Sequence, residues 1–152
     1  MLQKPYLKDS KKISNDSNSL GDLVVGIQIY INNHYGNSEK TYSPQSIIES
    51  RFTPPEVAFN IPMTSCGSMV NIATEMLRHL GYEVKKIHGS VPESSDHAWI
   101  KVRNKETQEW VPFDITKKDC DVTEEHKEIA ECAEWEEISD LIAKAHLDIL
   151  EN

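Results

Sequence analysis

Cys66, His97 and Asp114 are the residues whose types and placement best fit nucleophilic catalysis in this chain. Cys66 stands at or beside the first residue of a predicted helix. Unpaired backbone N–H groups and the positive end of the helix dipole favour an anion there. A thiolate is such an anion, so the thiol is expected to ionise more readily than a free cysteine. The same N–H groups can face a developing oxyanion, and Gly67 gives a substrate close access to the backbone. A cysteine is equally often a small buried hydrophobe, and position alone leaves both readings open.

His97 and Asp114 flank a predicted hairpin whose polar turn is Asn104-Lys105-Glu106-Thr107. An even-numbered loop centred between Lys105 and Glu106 sets Arg103 opposite Gln108 and His97 opposite Asp114. Residues paired across an antiparallel ladder point to one face with Cβ atoms about 5 Å apart, close enough for an imidazole and a carboxylate to share a hydrogen bond. That is the geometry of a general base and the group that orients it. A slip of one residue sends one partner to the other face. Trp99 and Trp110 fall on the His97 face in this register, as core packing or as an aromatic wall beside a cleft.

Several elements must position these residues. Leu20, Leu23, Val24, Ile27 and Ile31 form one apolar helical stripe over residues 20–34. Ser43 and Pro44 open a short helix to about Phe52, which Thr53-Pro54-Pro55 ends. Residues 56–63 read as a loop or extended segment. The helix that starts near Cys66, capped by Thr64 or Ser65, carries Met69, Ile72, Ala73, Met76 and Leu80 on its apolar face. Gly81 occupies the left-handed position after it. Strands follow at residues 82–89, around Ala98, Ile100 and Val102, and at residues 110–115. From Thr123 the chain is acidic. Residues 131–137 fit strand or helix, and Ile138, Leu141, Ile142, Ala145 and Ile149 mark a last helix. Residues 1–19 read as a flexible tail, leaving residues 20–152 as one domain. The expected class is α+β, an antiparallel sheet packed against the central helix that carries Cys66.

The 152 residues suit one domain with a core and a cleft. The net charge of −9 makes nucleic acid a poor partner. The three cysteines, Cys66, Cys120 and Cys132, are an odd set without a CxxC pair, so neither a complete disulfide framework nor a structural zinc is expected. Cys120 and Cys132 read as ordinary thiols. His34, His79, His88, His126 and His146 lack metal-ligand spacing with any cysteine and read as surface or structural residues. No metal or cofactor is expected. The N-terminus lacks the layout of a signal peptide, and no apolar run approaches transmembrane length. A cytoplasmic protein with reduced thiols and no membrane contact is the expectation.

The run Cys66…Asp96-His97-Ala98-Trp99-Ile100-Lys101-Val102…Trp110-Val111-Pro112-Phe113-Asp114-Ile115-Thr116 resembles the core of the transglutaminase-like superfamily. That family is marked by a cysteine opening a helix, a His-Ala-Trp strand and a Trp-x-x-x-Asp-x-Thr strand, in that order. Leu77-Arg78-His79-Leu80-Gly81-Tyr82 resembles its usual entry to the first strand. The resemblance implies a papain-like core with Cys66 as nucleophile, His97 as general base and Asp114 as third member of the triad. Members include transglutaminases, proteases, peptide N-glycanases and deamidases, and some have lost activity. Thr64 stands where many members carry glycine, and Gly67 where some carry an aromatic residue. The CxxC zinc site of cytosolic N-glycanases is missing. The implied function is cysteine-dependent acyl transfer on peptide or side-chain amide bonds through a thioacyl intermediate. A protease-like or deamidase-like hydrolase acting on a peptide or protein leads. A protein-glutamine transglutaminase or a silent binding module of the same fold are the alternatives. Gln28, Asn32 and Asn60 are candidates, by residue type, for a second oxyanion donor. The oligomeric state is left open.

Overall fold

A computed structural model describes residues 3–35, 54–60 and 66–132. Among the described residues four α-helices precede the sheet: α1 (Pro5–Asn15), α2 (Leu20–Tyr35), α3 (Pro55–Asn60) and α4 (Cys66–His79). The strands are β1 (Val84–Val91), β2 (Ser94–Arg103), β3 (Trp110–Phe113) and β4 (Lys127–Glu131), with a 3-10 turn at Lys118–Cys120. The sheet runs β3-β2-β1-β4 and every neighbouring pair is antiparallel. The fold is α+β, as its sequence pattern predicts.

α4 is the central helix, touching α1, α2, α3, β1 and β2. Its Met69, Ile72, Ala73, Met76 and Leu77 join Ile27 and Ile31 of α2 and Ala98, Ile100 and Val102 of β2 in one apolar core. α4 ends in a Schellman turn. The Tyr82 N–H donates to the Leu77 carbonyl at 3.1 Å and the Gly81 N–H to the Arg78 carbonyl at 2.9 Å. Gly81 has φ +89°, a conformation that costs a residue without Cβ little. The chain therefore reverses at once into β1, which returns alongside α4.

Residues 1–19 are not a tail throughout, because Pro5–Asn15 is a packed helix. Pro5 sits in the first turn, where a missing N–H is tolerated. Tyr6 and Ser10 are fully buried. The Tyr6 hydroxyl donates to Glu75 Oε2 of α4 at 2.8 Å, and Lys4 Nζ meets Glu75 Oε1 at 2.8 Å. On α2, the Tyr30 hydroxyl donates to Asp9 Oδ2 at 2.6 Å. A narrow stripe buries this helix, so its composition stays polar.

The expectation of a loop at residues 56–63 also fails in its first half, where Pro55–Asn60 is helical. The prolines start this helix instead of excluding it. The Pro54 carbonyl accepts the N–H groups of Val57 and Ala58 at 3.0 and 2.9 Å, and Pro55 needs no partner for an N–H it lacks. Phe59 then stacks on His34 of α2, with ring centroids 3.6 Å apart. The helix expected at residues 43–52, the Thr64 or Ser65 cap, the assignment of residues 133–137 and the last helix lie outside the described residues. β4 has no counterpart in the sequence reading: all five of its residues are exposed, so it carries no apolar alternation. No helix among the described residues is long and apolar enough to cross a membrane.

Candidate active site

Cys66 is the first residue of α4. Its side chain lies outside the described structure. α4 ends where β1 begins, β1 runs back along it, and a two-residue turn at Pro92-Glu93 leads into β2. The start of α4 and the start of β2 consequently lie at the same end of the sheet.

His97 lies near the start of β2 and Asp114 directly after β3. His97 Nε2 stands 2.8 Å from Asp114 Oδ2. The Asp114 side chain is fully buried and that of His97 is 11% exposed. The register that brings them together differs from the expected one. Arg103 pairs with Trp110, not Gln108, and Ile100 pairs with Phe113. The loop runs over residues 104–109, because Asn104 Oδ1 accepts the N–H groups of Glu106 and Thr107 and Gln108 takes a left-handed φ of 64°. The displacement is two positions, so each side chain returns to its original face. Asp114 is therefore a diagonal neighbour of His97 beyond the end of β3, not its direct partner.

A tight turn aims the carboxylate. The Asp114 N–H donates to the Cys120 carbonyl at 3.0 Å, and the Lys117 N–H donates to the Asp114 carbonyl at 3.1 Å. Thr116 supplies its N–H and its hydroxyl to Asp114 Oδ1, at 2.9 and 2.6 Å. Burial alone would raise the Asp114 pKa. Hydrogen bonds from His97, Thr116 and His126 outweigh it and hold the group at about 2. An ionised carboxylate accepts only, so the His97 proton resides on Nε2, and the basic lone pair falls to Nδ1.

His126 joins the His97–Asp114 cluster, so of its two expected places, surface or structural, it does not take the surface one. Its Nε2 stands 2.8 Å from the same Asp114 Oδ2, and its side chain is 5% exposed. It lies six residues beyond Cys120, after a strap with no regular element. No spacing rule points to it; the nearest local signal is Thr123, three positions upstream, whose N–H meets His126 Nδ1 at 3.1 Å.

Polar atoms of His97, Asp114 and His126 lie within 4.8 Å of one another, and these are zinc-type ligands. A metal at His126 Nε2 needs that nitrogen bare, with the proton moved to Nδ1. Nδ1 faces the Thr123 N–H, itself a donor, so the arrangement suits a hydrogen-bond network and opposes a metal.

Trp99 is 2% exposed and stands edge-on to His126, with ring centroids 5.1 Å apart, and 6.2 Å from His97. It packs beneath the histidines. Gly89 of β1 makes room for it: a Cβ there would meet Trp99 Cη2 at 2.3 Å and the Lys127 carbonyl at 2.2 Å. Trp110 is not part of this cluster, and its ring carries Lys85 Nζ 4.4 Å from the centroid.

Gln28 is not placed as an oxyanion donor. Its amide donates to the carbonyls of Ile115, at 2.8 Å, and Lys117, tying the turn after Asp114 to α2. Asn60 is exposed and donates to the Glu56 carbonyl at 2.6 Å. His34 and His88 have structural contacts, to the Phe59 carbonyl and to Asp96 Oδ1 at 2.8 Å. His79 is exposed, and His146 lies outside the described residues. Cys120 is a buried free thiol, pushed up to about 12 by burial and then by the charges of Asp114, Asp121 and Asp119. Cys132 is partly buried, and its backbone N–H donates to the Lys86 carbonyl at 2.7 Å.

A central helix opened by cysteine and an antiparallel sheet presenting a His–Asp pair define a cysteine-dependent acyl-transfer type of fold. The profile of the transglutaminase-like superfamily matches residues 9–115. The chain belongs to the transglutaminase-like superfamily. Among solved structures, one described as the crystal structure of a TGase superposes with a TM-score of 0.54 at 17% identity, covering 74% of this chain and 30% of that one. This likeness concerns the fold. No curated protein sequence matches the chain.

Proposed function

We propose that this chain is a cysteine-dependent acyl-transfer enzyme that hydrolyses amide bonds of a peptide or protein, with Cys66 as nucleophile, His97 as base and Asp114 as the group that orients His97. The observation that carries this reading is the 2.8 Å contact between His97 Nε2 and the buried, ionised Asp114. It fixes the ring and leaves Nδ1 as the nitrogen that exchanges a proton with the thiol. Family membership and the position of Cys66 at the head of α4 support the nucleophile.

In the reaction, His97 Nδ1 takes the Cys66 proton and the thiolate sulfur bonds to the amide carbonyl carbon. Backbone N–H groups at the start of α4 stabilise the oxyanion. Collapse breaks the C–N bond, and the leaving amine takes the proton from Nδ1. Water then attacks the thioester with His97 again as base, releasing the acid and the thiol. An acceptor amine in place of water would give crosslinking. The buried, unoxidised thiol of Cys120 suits a reducing compartment such as the cytoplasm.

The test is a product survey on protein and peptide mixtures, reading ammonia release, new peptide termini and amine incorporation. Hydrolysis that Cys66→Ala abolishes is the expected result. Amine incorporation dominating over hydrolysis would replace the hydrolase reading by a transglutaminase. Activity that survives Cys66→Ala would overturn the mechanism.

A further inference from the structure

We propose that His126 is a positioning residue of the same site, a neutral N–H donor that locks the carboxylate of Asp114 in the orientation His97 requires. This inference rests on the reading of Cys66 and His97 as a catalytic pair. Three observations carry it. First, His126 and His97 place their Nε2 atoms 2.8 Å from one and the same oxygen, Asp114 Oδ2. Second, the tautomer of His126 is fixed from behind. A backbone N–H can only donate, and that of Thr123 meets His126 Nδ1 at 3.1 Å, so Nδ1 accepts and Nε2 carries the proton. Third, Trp99 stands edge-on to the His126 ring, at 87°, and holds its plane.

The consequence is a saturated carboxylate. Oδ2 takes two imidazole N–H donors and Oδ1 takes the N–H and hydroxyl of Thr116. A carboxylate has about four such acceptor sites. With all of them filled in a fully buried position, Asp114 has one orientation, and the direction of the His97 ring follows from it. Removing His126 leaves part of Oδ2 unsatisfied away from water and frees the carboxylate to turn. A neutral donor also adds no positive charge to compete with an imidazolium at His97.

The experiment compares wild type, His126→Leu and His126→Gln by the pH dependence of Cys66 alkylation with iodoacetamide, resolved by mass spectrometry, alongside thermal unfolding. The glutamine amide can reach the place of Nε2 and donate to Asp114; leucine cannot. The expected result is a loss of about tenfold in the low-pH alkylation rate in His126→Leu, the size of one charge-assisted hydrogen bond. In His126→Gln most of that loss is recovered. A purely structural role would lower the unfolding temperature without moving the low-pH limb. A limb unchanged in His126→Leu, or lost equally in both variants, overturns the donor role while leaving the Cys66–His97 pair standing. A wild type without any low-pH limb overturns that pair and this inference with it. If His126→Leu does not fold, nitrogen-15 shifts of the wild-type histidines decide: a neutral Nε2–H ring at His126 is expected, and an Nδ1–H ring contradicts the inference.

Discussion

His97 and Asp114 are held together by two separate devices, a strand on one side and a backbone turn on the other. The β2–β3 ladder ends at Ile100 and Phe113, and the carboxylate is then carried to Nε2 of His97 by the turn that Cys120 and Lys117 close. Stability and chemistry meet at Asp114, because a fully buried carboxylate must be satisfied to remain ionised.

The folded-state pKa of Asp114, about 2, lies below its ordinary 3.8. Stability gained from this depression is complete above pH ~4 and disappears as the pH falls through 2; at 1.36 kcal/mol per unit it amounts to about 2 kcal/mol. Urea unfolding of wild type against Asp114→Asn, from pH 7 to pH 2, is expected to show a shallower acid loss in the variant. Parallel curves would mean that Asp114 is not held ionised by its partners.

Gln28 bridges α2 to the turn after Asp114 through the carbonyls of Ile115 and Lys117. Gln28→Leu removes the donor and strands buried acceptors, a loss of roughly 1–3 kcal/mol. A lower urea midpoint is expected, together with reduced Cys66 reactivity as the turn loosens. Lost turnover with an unchanged midpoint would instead indicate a direct role in the reaction.

Gly89 tolerates no side chain, because the Lys127 carbonyl and Trp99 occupy the space of a Cβ. Gly89→Ala is expected to cost about 3 kcal/mol or to displace β4, since backbone cannot yield as a flexible side chain does. Hydrogen exchange at residues 127–131 reads this directly. Native protection there in the variant would contradict the packing described.

The Cys120 thiol, pushed up to about 12 by burial and neighbouring carboxylates, stays protonated in the folded protein. It should resist alkylation at pH 7–9 until urea unfolds the chain. The linked stability is full below the ordinary value of 9.0 and falls as the pH rises towards 12. Ready labelling in the native state would show that Cys120 is open to solvent.

The parts of this architecture legible in the sequence are those with a strong period or an obligatory conformation. The apolar stripes of α2 and α4, the alternation in β2 and Gly81 belong to this group. The face shared by His97 and Asp114 was legible too, although the loop was wider than expected, because a displacement of two residues conserves facing. α1 was not legible, since Tyr6 and Ser10 bury a narrow stripe on a polar helix. α3 was hidden by Pro54-Pro55, which read as a breaker and act as an N-terminus. β4 exposes every residue and is held by its backbone pairing with β1, which leaves no pattern in side-chain type. His126 was not legible as a partner of Asp114 because residues 121–126 form no strand or helix, so no register or period predicts which way its side chain faces.

The proposed ion pair of Cys66 and His97 is read out by the alkylation rate of Cys66 against pH in wild type and His97→Ala. The expected result is fast alkylation well below pH 8 that vanishes without His97, with Cys120 silent in both proteins. A Cys66 thiol that titrates near 8.5, as a free cysteine does, and ignores the loss of His97 would contradict it.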